Sequence, residues 1–257
     1  AKPRPLVATE ERVVDYHVQA HAASLLPGQE QKPEYLLPLT GAQLSIPRID
    51  PLGIEDAYAV LEGEEPRDFS GTSATGVGDV DGDDVVDLLV GAPGDGDDNQ
   101  GAFYILTMDP DGTVNGTIKI SSLPSETLVA GALFGSSITT LGDLDLDGVV
   151  DIAVGAIGEG NTGNEGATYV LLMEANSAVK SAVKITNEMG GLAADTLVSG
   201  DQFGAAVAAV GDIDGDAVVD LVVGATGSDV AGQNDGAAYV LMLNPDGTVK
   251  NQVKIAD

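Results

Sequence analysis

The sequence of 257 residues predicts an all-β fold built from repeated four-stranded units, and three observations support this prediction. An aspartate-rich loop occurs three times, at intervals of 64 and 69 residues (79 to 143 and 143 to 212). Each loop is followed by a short apolar run that ends in Gly-Ala, as in residues 152–156. A second Gly-Ala then begins another apolar run, as in residues 166–173. Self-similarity at such intervals indicates a repeat architecture.

The middle loop, residues 143–151, shows why this pattern predicts a cation site. Glycine stands at position 6, and the aspartates occupy positions 1, 3, 5 and 9: Asp143, Asp145, Asp147 and Asp151. Alternate spacing lets the first three carboxylates point inward, and the backbone carbonyl of Val149 at position 7 is free to join them. Such an all-oxygen cage suits Ca²⁺, which takes six to eight oxygen ligands.

The two outer loops repeat this spacing and give two further predicted sites. Their predicted ligands are Asp79, Asp81, Asp83, Val85 and Asp87 in the first loop, and Asp212, Asp214, Asp216, Val218 and Asp220 in the third. The sequence therefore predicts about three bound Ca²⁺ ions. The alternative is an acidic, solvated turn between two strands. Only the middle loop has glycine at the sharp-turn position, Gly148, so we expect the middle site to be the tightest.

An EF-hand does not account for these loops. An EF-hand loop requires a bidentate glutamate at position 12 and a helix on each side. Position 12 is instead valine in all three copies: Val90, Val154 and Val223. The residues after each loop are short, apolar and largely β-branched, which indicates that each loop connects two strands.

The middle copy defines the four strands of a repeat in order. We predict them at residues 134–141, 151–156, 166–173 and 179–185, with the aspartate loop between the first two. In the outer copies, Pro-Asp-Gly supplies the φ angles of the turn before the fourth strand. Lysines near the ends of the outer strands would discourage unwanted pairing: Lys119, Lys184 and Lys254. Four antiparallel strands per repeat predict a β-propeller blade, with a β-sandwich or β-solenoid as the alternatives.

The domain prediction divides the chain at residue 66. Residues 67–257 hold three full blades, fewer than the four to eight of most propellers, so we expect an incomplete ring with uncovered apolar faces. This expectation favours a piece of a longer protein. Residues 1–66 contain eight of the twelve prolines and form a separate segment, in which 58–61 is a candidate strand of a partial blade. The first repeat departs from the others, because Phe69 is followed by Ser-Gly.

The composition excludes several classes of function. The net charge is −30, with 41 acidic and 11 basic residues, so nucleic acids and anionic membranes would repel the chain. The chain has no cysteine, which excludes disulfides and thiol catalysis. No apolar run approaches the roughly 18 residues of a membrane span, so we expect no membrane insertion.

Two weaker motifs are set aside. Residues 158–163 match the dinucleotide pattern Gly-x-Gly-x-x-Gly, but that motif needs a following helix, and here a strand is predicted. His17 and His21 have the spacing of a helical metal pair, but no pattern supplies the remaining ligands. We therefore expect neither a nucleotide site nor a zinc site, and no catalytic residue is predicted.

One resemblance is specific, because its elements recur in a fixed order. Phe134-Gly135, the aspartate loop and the Gly91-Ala92-Pro93 segment are similar to the FG-GAP repeat of integrin α-subunit β-propellers and their bacterial relatives. Proline is present only in the first copy of the last element. The resemblance covers residues 67–257. It implies calcium in the hairpin loops and a role in adhesion or in protein or carbohydrate binding, at an extracellular or cell-surface location. The alternative is a secreted lyase, hydrolase or phospholipase to which the repeats belong.

Overall fold

A computed structural model of the protein describes residues 67–160, 163–194, 196–228 and 235–256, and these residues form three four-stranded antiparallel sheets. Blade one consists of β1 (Ser73–Gly78), β2 (Asp87–Ala92), β3 (Ala102–Met108) and β4 (Val114–Ile120). Blade two consists of β5 (Phe134–Gly142), β6 (Asp151–Ala156), β7 (Ala167–Met173) and β8 (Val179–Ile185). Blade three consists of β9 (Phe203–Gly211), β10 (Asp220–Ala225), β11 (Ala237–Leu243) and β12 (Val249–Ile255).

The strand order within each blade follows the chain order, with every neighbouring pair antiparallel. The predicted all-β fold of three four-stranded propeller blades is therefore confirmed, and the described residues form no closed ring. Residues 1–66, including the candidate strand at 58–61 and both histidines, lie outside the described part of the chain. Across the described ranges, no helix has both the length and the apolar character needed to cross a membrane.

The side chains of blade two alternate between two apolar interfaces, as the two-residue period of a strand requires. Ile152 and Val154 of β6 point into a core shared with blade one, where they meet Leu89 and Ile105. Ala153, between them, belongs instead to a core shared with blade three. Because blade two is covered on both faces, all residues of β6 and β7 are buried.

Two glycines of the repeat meet wherever one blade packs on the next. Gly155, near the end of β6, lies against the carbonyl of Gly204 at the start of blade three, and a Cβ added there would come within 2.0 Å of that oxygen. Gly91 lies against Gly135 in the same way, at 2.1 Å. A serine of the preceding blade donates a hydrogen bond to the same carbonyl: Ser137 Oγ to Gly204 O at 2.7 Å in blade two. The Gly-Ala and Phe-Gly segments therefore form the backbone contact between blades.

The phenylalanine of each Phe-Gly segment packs on the tyrosine of its own third strand. The Phe134 and Tyr169 rings are 5.4 Å apart and edge-on, and Phe203 and Tyr239 repeat the geometry at 5.3 Å. Phe69 does not take this place in blade one, since it is 62% exposed. Its carbonyl accepts the turn hydrogen bond that Leu133 accepts in blade two, so Phe69 corresponds to Leu133. Ser70 therefore stands where the other blades have phenylalanine.

Candidate metal centres

The aspartate at position 9 anchors each loop to its sheet. Asp151 is the first residue of β6 and is fully buried. Its Oδ2 accepts a hydrogen bond from Leu144 N at 2.7 Å, and its Oδ1 accepts one from Met173 N at 2.9 Å. Burial raises the pKa of Asp151 above its usual value, although these two backbone hydrogen bonds act in the opposite direction. Asp87 and Asp220 make the same pair of contacts in their blades.

The aspartate at position 1 organises the turn of each loop. The side chain of Asp79 accepts hydrogen bonds from the backbone amides of Gly82, Asp83 and Asp84 at 2.6 to 3.1 Å. These hydrogen bonds, that of Asp84 first, hold the pKa of Asp79 below its usual value. Asp212 accepts the same three bonds in the third loop, and Asp143 accepts two of them, from Asp147 and Gly148. The position 1 carboxylate therefore holds the turn of all three loops.

Every loop has two residues in the left-handed region, one of which is glycine. In the middle loop they are Leu146 (φ 61°) at position 4 and Gly148 (φ 90°) at position 6. In the outer loops the order is reversed, with glycine at position 4 and Asp84 or Ala217 (both φ 68°) at position 6. Each loop thus carries one strained non-glycine residue. The glycine position gives the middle loop no advantage, which removes the reason for ranking it tightest.

Three of the four aspartates in each loop converge. The carboxylates at positions 1, 3 and 9 each bring one oxygen to within 4.8 Å of the others: Asp79, Asp81 and Asp87; Asp143, Asp145 and Asp151; Asp212, Asp214 and Asp220. These clusters could hold metal ions. The position 5 aspartates, Asp83, Asp147 and Asp216, do not belong to these closest groups. Each instead accepts a hydrogen bond at Oδ1 from the amide of the valine at position 7.

The donor set of the middle loop fits a hard cation. Asp145 Oδ1 is buried and has no hydrogen-bond partner among the described residues. An anionic oxygen buried in this way is costly unless a cation or donor faces it. All the converging atoms are carboxylate oxygens, the ligands preferred by Ca²⁺ rather than by a softer metal. The ligand roles of the five predicted residues per loop, including the valine carbonyls, stay a prediction.

The sequence interpretation missed two lysines that reach into the loops. Lys180 Nζ, on β8, lies 2.6 Å from Asp145 Oδ2 and 2.7 Å from Asp147 Oδ2. Lys250 Nζ, on β12, makes the same two contacts with Asp214 and Asp216, at 2.6 and 2.5 Å. The sequence does show that the two lysines are equivalent, because each follows a valine at the start of the fourth strand. The first copy has Asn115 at this place.

The lysines give the loops different electrostatics. The hydrogen bond from Lys180 holds the pKa of Asp147 below its usual value, and Lys250 does the same for Asp216. Blade one lacks such a lysine. There, desolvation and then the charge of Asp83 raise the pKa of Asp81. Among the described residues, the first loop therefore has no lysine that compensates its negative charge.

A second polar cluster lies at the other end of β6. The Tyr169 hydroxyl donates to Glu159 Oε1 at 2.6 Å, and Lys184 Nζ lies 2.8 Å from Glu159 Oε2. Burial, followed by the hydrogen bond to Glu159, raises the pKa of Tyr169. Blade one repeats the cluster with Tyr104, Asp95 and Lys119. In blade three the acid is replaced by Ser228, to which Lys254 donates at 2.9 Å. The lysines that were predicted to prevent unwanted pairing of the outer strands thus form contacts within their own blades.

The comparison with protein families agrees with this geometry. The model of the FG-GAP repeat matches residues 71–106, 134–171 and 203–241. Each match begins at the first strand of a blade, or two residues before it in blade one, and ends within the third strand. The chain belongs to the FG-GAP repeat family. The Phe-Gly and Gly-Ala segments that name this family are the segments that meet between the blades.

Relatives of this FG-GAP repeat chain include integrin α subunits. Human integrin alpha-11 is 34% identical over 179 residues, which are 67% of this chain and 14% of the relative. Integrin alpha-PS5 of Drosophila melanogaster is 33% identical over 178 residues, or 66% of this chain and 16% of the relative. Human integrin alpha-X is 36% identical over 111 residues, 39% of this chain. The chain thus spans less than a fifth of the length of these curated relatives.

Proposed function

We propose that this chain is a calcium-stabilised, non-catalytic β-propeller module that binds a protein or carbohydrate ligand outside the cell. The observation that carries the proposal is the threefold convergence of three carboxylates in the loop between the first two strands of each blade. One such cluster would be compatible with a solvated acidic turn. Three clusters with the same hydrogen-bonding scheme support a common ligand.

The chemistry of the loops supports Ca²⁺ as that ligand. Positions 1, 3 and 9 offer carboxylate oxygens that already face one another, and positions 5 and 7 can add a carboxylate and a carbonyl. Each loop ends on a buried aspartate that is tied to the third strand, so an ion held there would join the first hairpin to the rest of the blade. We propose that the structural role of the ion is to hold the first hairpin against the third strand of its blade.

The non-catalytic part of the proposal rests on the side chains available. The sequence has no cysteine, and both histidines lie in residues 1–66. In the part of the chain that the structure describes, all five lysines bind within their own blades, at the metal loops or at the tyrosine clusters. None of these described lysines is therefore free to act as a general base. Similarity to integrin α subunits and a net charge of −30 favour a calcium-rich, extracellular setting.

The first experiment is thermal unfolding of the intact chain in calcium and in EDTA. With a dissociation constant near ~0.1 mM, ~10 mM Ca²⁺ adds about 2.7 kcal/mol per site, or about 8 kcal/mol for three independent sites. At this chain length, that corresponds to a rise in Tm of roughly 20 °C. Magnesium at the same concentration should give a much smaller rise, because Mg²⁺ demands stricter geometry.

A matched pair of variants localises the effect. Asp145→Asn removes one converging carboxylate and should reduce the calcium-induced rise in Tm by about a third. Asp97→Asn removes one exposed acid outside the loops and should leave the rise unchanged. If EDTA and calcium give the same melting curve for the wild-type chain, the proposed calcium function is wrong.

The ligand-binding part of the proposal needs a separate measurement. The intact chain is applied to arrays of glycans and extracellular-matrix proteins, once in calcium and once in EDTA. We expect binding to at least one ligand class in calcium and weaker binding in EDTA. If the chain binds neither array, the proposed ligand-binding role is contradicted, whereas the proposed calcium sites are unaffected.

A further inference from the structure

The fourth strand of every blade carries one extra residue at the same place. Pairing between the third and fourth strands shifts after Thr107, Leu172 and Met242, which leaves an extra residue in the fourth strand. The extra residues are Asn115, Lys180 and Lys250. A β-bulge of this kind turns a side chain out of the regular ladder. In blades two and three, the lysine so placed reaches the aspartate loop.

The two lysine ammonium groups pair with carboxylates that belong to the predicted cation sites. Lys180 Nζ bridges the carboxylates at positions 3 and 5 of its loop at 2.6 and 2.7 Å. Lys250 bridges the equivalent pair in the third loop. Both positions belong to the predicted ligand set. An ion bound to the same oxygens would lie within a few ångströms of the ammonium group, where the two positive charges repel strongly.

We infer that Lys180 and Lys250 are resident counter-ions which Ca²⁺ must displace from the second and third loops, so that the first loop binds Ca²⁺ most tightly. This inference rests on the proposed calcium function. Lysine suits the role because its ammonium group is a single charge on a long flexible stem, which can swing away without moving the backbone. The side chains of Lys180 and Lys250 are 42% and 35% exposed, so solvent can receive the displaced ammonium group.

The first loop lacks this competitor. Asn115 is neutral, and Lys119, the lysine of blade one, pairs with Asp95 at the other end of β2 at 2.9 Å. In the described part of the chain, the carboxylates of the first loop therefore face one another without an ammonium group between them. A cation from solution would relieve the mutual repulsion among them. We therefore expect one tight site in the first loop and two weaker sites in the others, because the bulge residue is asparagine in blade one and lysine in blades two and three.

The experiment is a calcium titration of the intact chain by isothermal calorimetry, with exchange of the bulge residues. The wild-type chain should show one tight site and two sites about tenfold weaker. Asn115→Lys should weaken the tight site about tenfold, and the double variant K180N/K250N should bring all three sites to the tight class. Thr117→Lys is the control, because it adds the same charge to β4 two residues farther along the strand.

Thermal unfolding gives an independent readout. Without calcium, K180N/K250N should melt below the wild-type chain, since the loops lose their counter-ions. With saturating calcium, the difference in Tm should largely disappear, because the displaced lysines no longer contribute to the bound state. A difference of the same size in both conditions would mean that the lysines only affect general stability, and would overturn the inference.

The outcomes separate this inference from the proposed function. If the wild-type chain binds no calcium, the proposed function fails. If three sites bind calcium and none responds to the exchanges, the proposed function stands and the inference fails. If Asn115→Lys and Thr117→Lys weaken binding equally, net charge rather than displacement explains the effect, which also overturns the inference.

Discussion

Blades two and three have closely similar strands and differ in what covers them. Phe134 packs on Tyr169 as Phe203 packs on Tyr239, with ring separations of 5.4 and 5.3 Å. Blade two is nevertheless covered on both faces, and β6 and β7 are entirely buried. In blade three, several apolar residues are exposed, among them Val210 at 41% and Val253 at 47%.

This difference distinguishes the contacts within a blade from the contacts between blades. The packing of phenylalanine on tyrosine is the same in both blades, so it depends on the blade alone. The glycine contact and its serine hydrogen bond exist only where two blades meet. Blade three has Ala206 where the other blades have Ser73 and Ser137, so the hydroxyl donor is missing from its outer face. Substitutions at equivalent positions of the two blades can test this separation.

The largest expected difference is at the interface glycine. Gly155→Ala places a Cβ 2.0 Å from the carbonyl oxygen of Gly204, and backbone cannot yield without separating the blades. We expect it to lower the free energy of unfolding by more than ~3 kcal/mol. Gly224→Ala is the control, because the nearest atom to its added Cβ is 3.4 Å away. Its effect should lie within ~1 kcal/mol of zero. Equal losses in urea denaturation would show that the interface is not the cause.

The next difference is at the lysine of the tyrosine cluster. Lys184→Met leaves the carboxylate of Glu159, which is 1% exposed, without its cation. Removing one partner of a buried ion pair costs about 3 kcal/mol or more. Lys254→Met removes a lysine whose partners among the described residues are the neutral Ser228 and the Tyr239 ring, so we expect a loss below ~1 kcal/mol. Chemical denaturation measures both, and a larger loss for Lys254→Met would contradict the comparison.

The smallest difference is at the tyrosine hydroxyl. Tyr169→Phe removes the 2.6 Å hydrogen bond to Glu159, and a bond to a buried charged group is worth about 1.5–3 kcal/mol. Tyr239→Phe removes a 3.3 Å contact to the Thr196 carbonyl and should cost about 0.5 kcal/mol. Both variants keep the aromatic ring and its packing. If the two losses in unfolding free energy are equal, the environment of the hydroxyl has no influence.

The sequence predicted what depends on local pattern. The loops, the turn types and the order of the strands follow from residues close together in the chain, and repetition made each signal stronger. The role of Phe69 was not predictable in this way. The positive φ of Gly71, which matches Gly135, sets the register and places Phe69 one residue too early to pack inside the blade.

Contacts between distant residues were harder to predict. Lys180 meets Asp145 across 35 residues of chain, and only a bulge in β8 aims it at the loop. The glycine contact joins Gly155 to Gly204, in different blades. Alignment of the three copies would have marked the Asn115, Lys180 and Lys250 positions as equivalent. It would not have shown what these side chains touch.

The glycine contact also determines how such a chain can grow. One glycine of the contact lies near the start of a blade. The other lies near the end of the second strand of the preceding blade, so each blade carries one glycine of each kind on opposite faces. A gene duplication that adds one repeat therefore brings a unit that fits its neighbours on either side, as in other arrays with nearest-neighbour interfaces. The contact is head-to-tail. Stacking through it has a direction, and two identical faces cannot pair symmetrically.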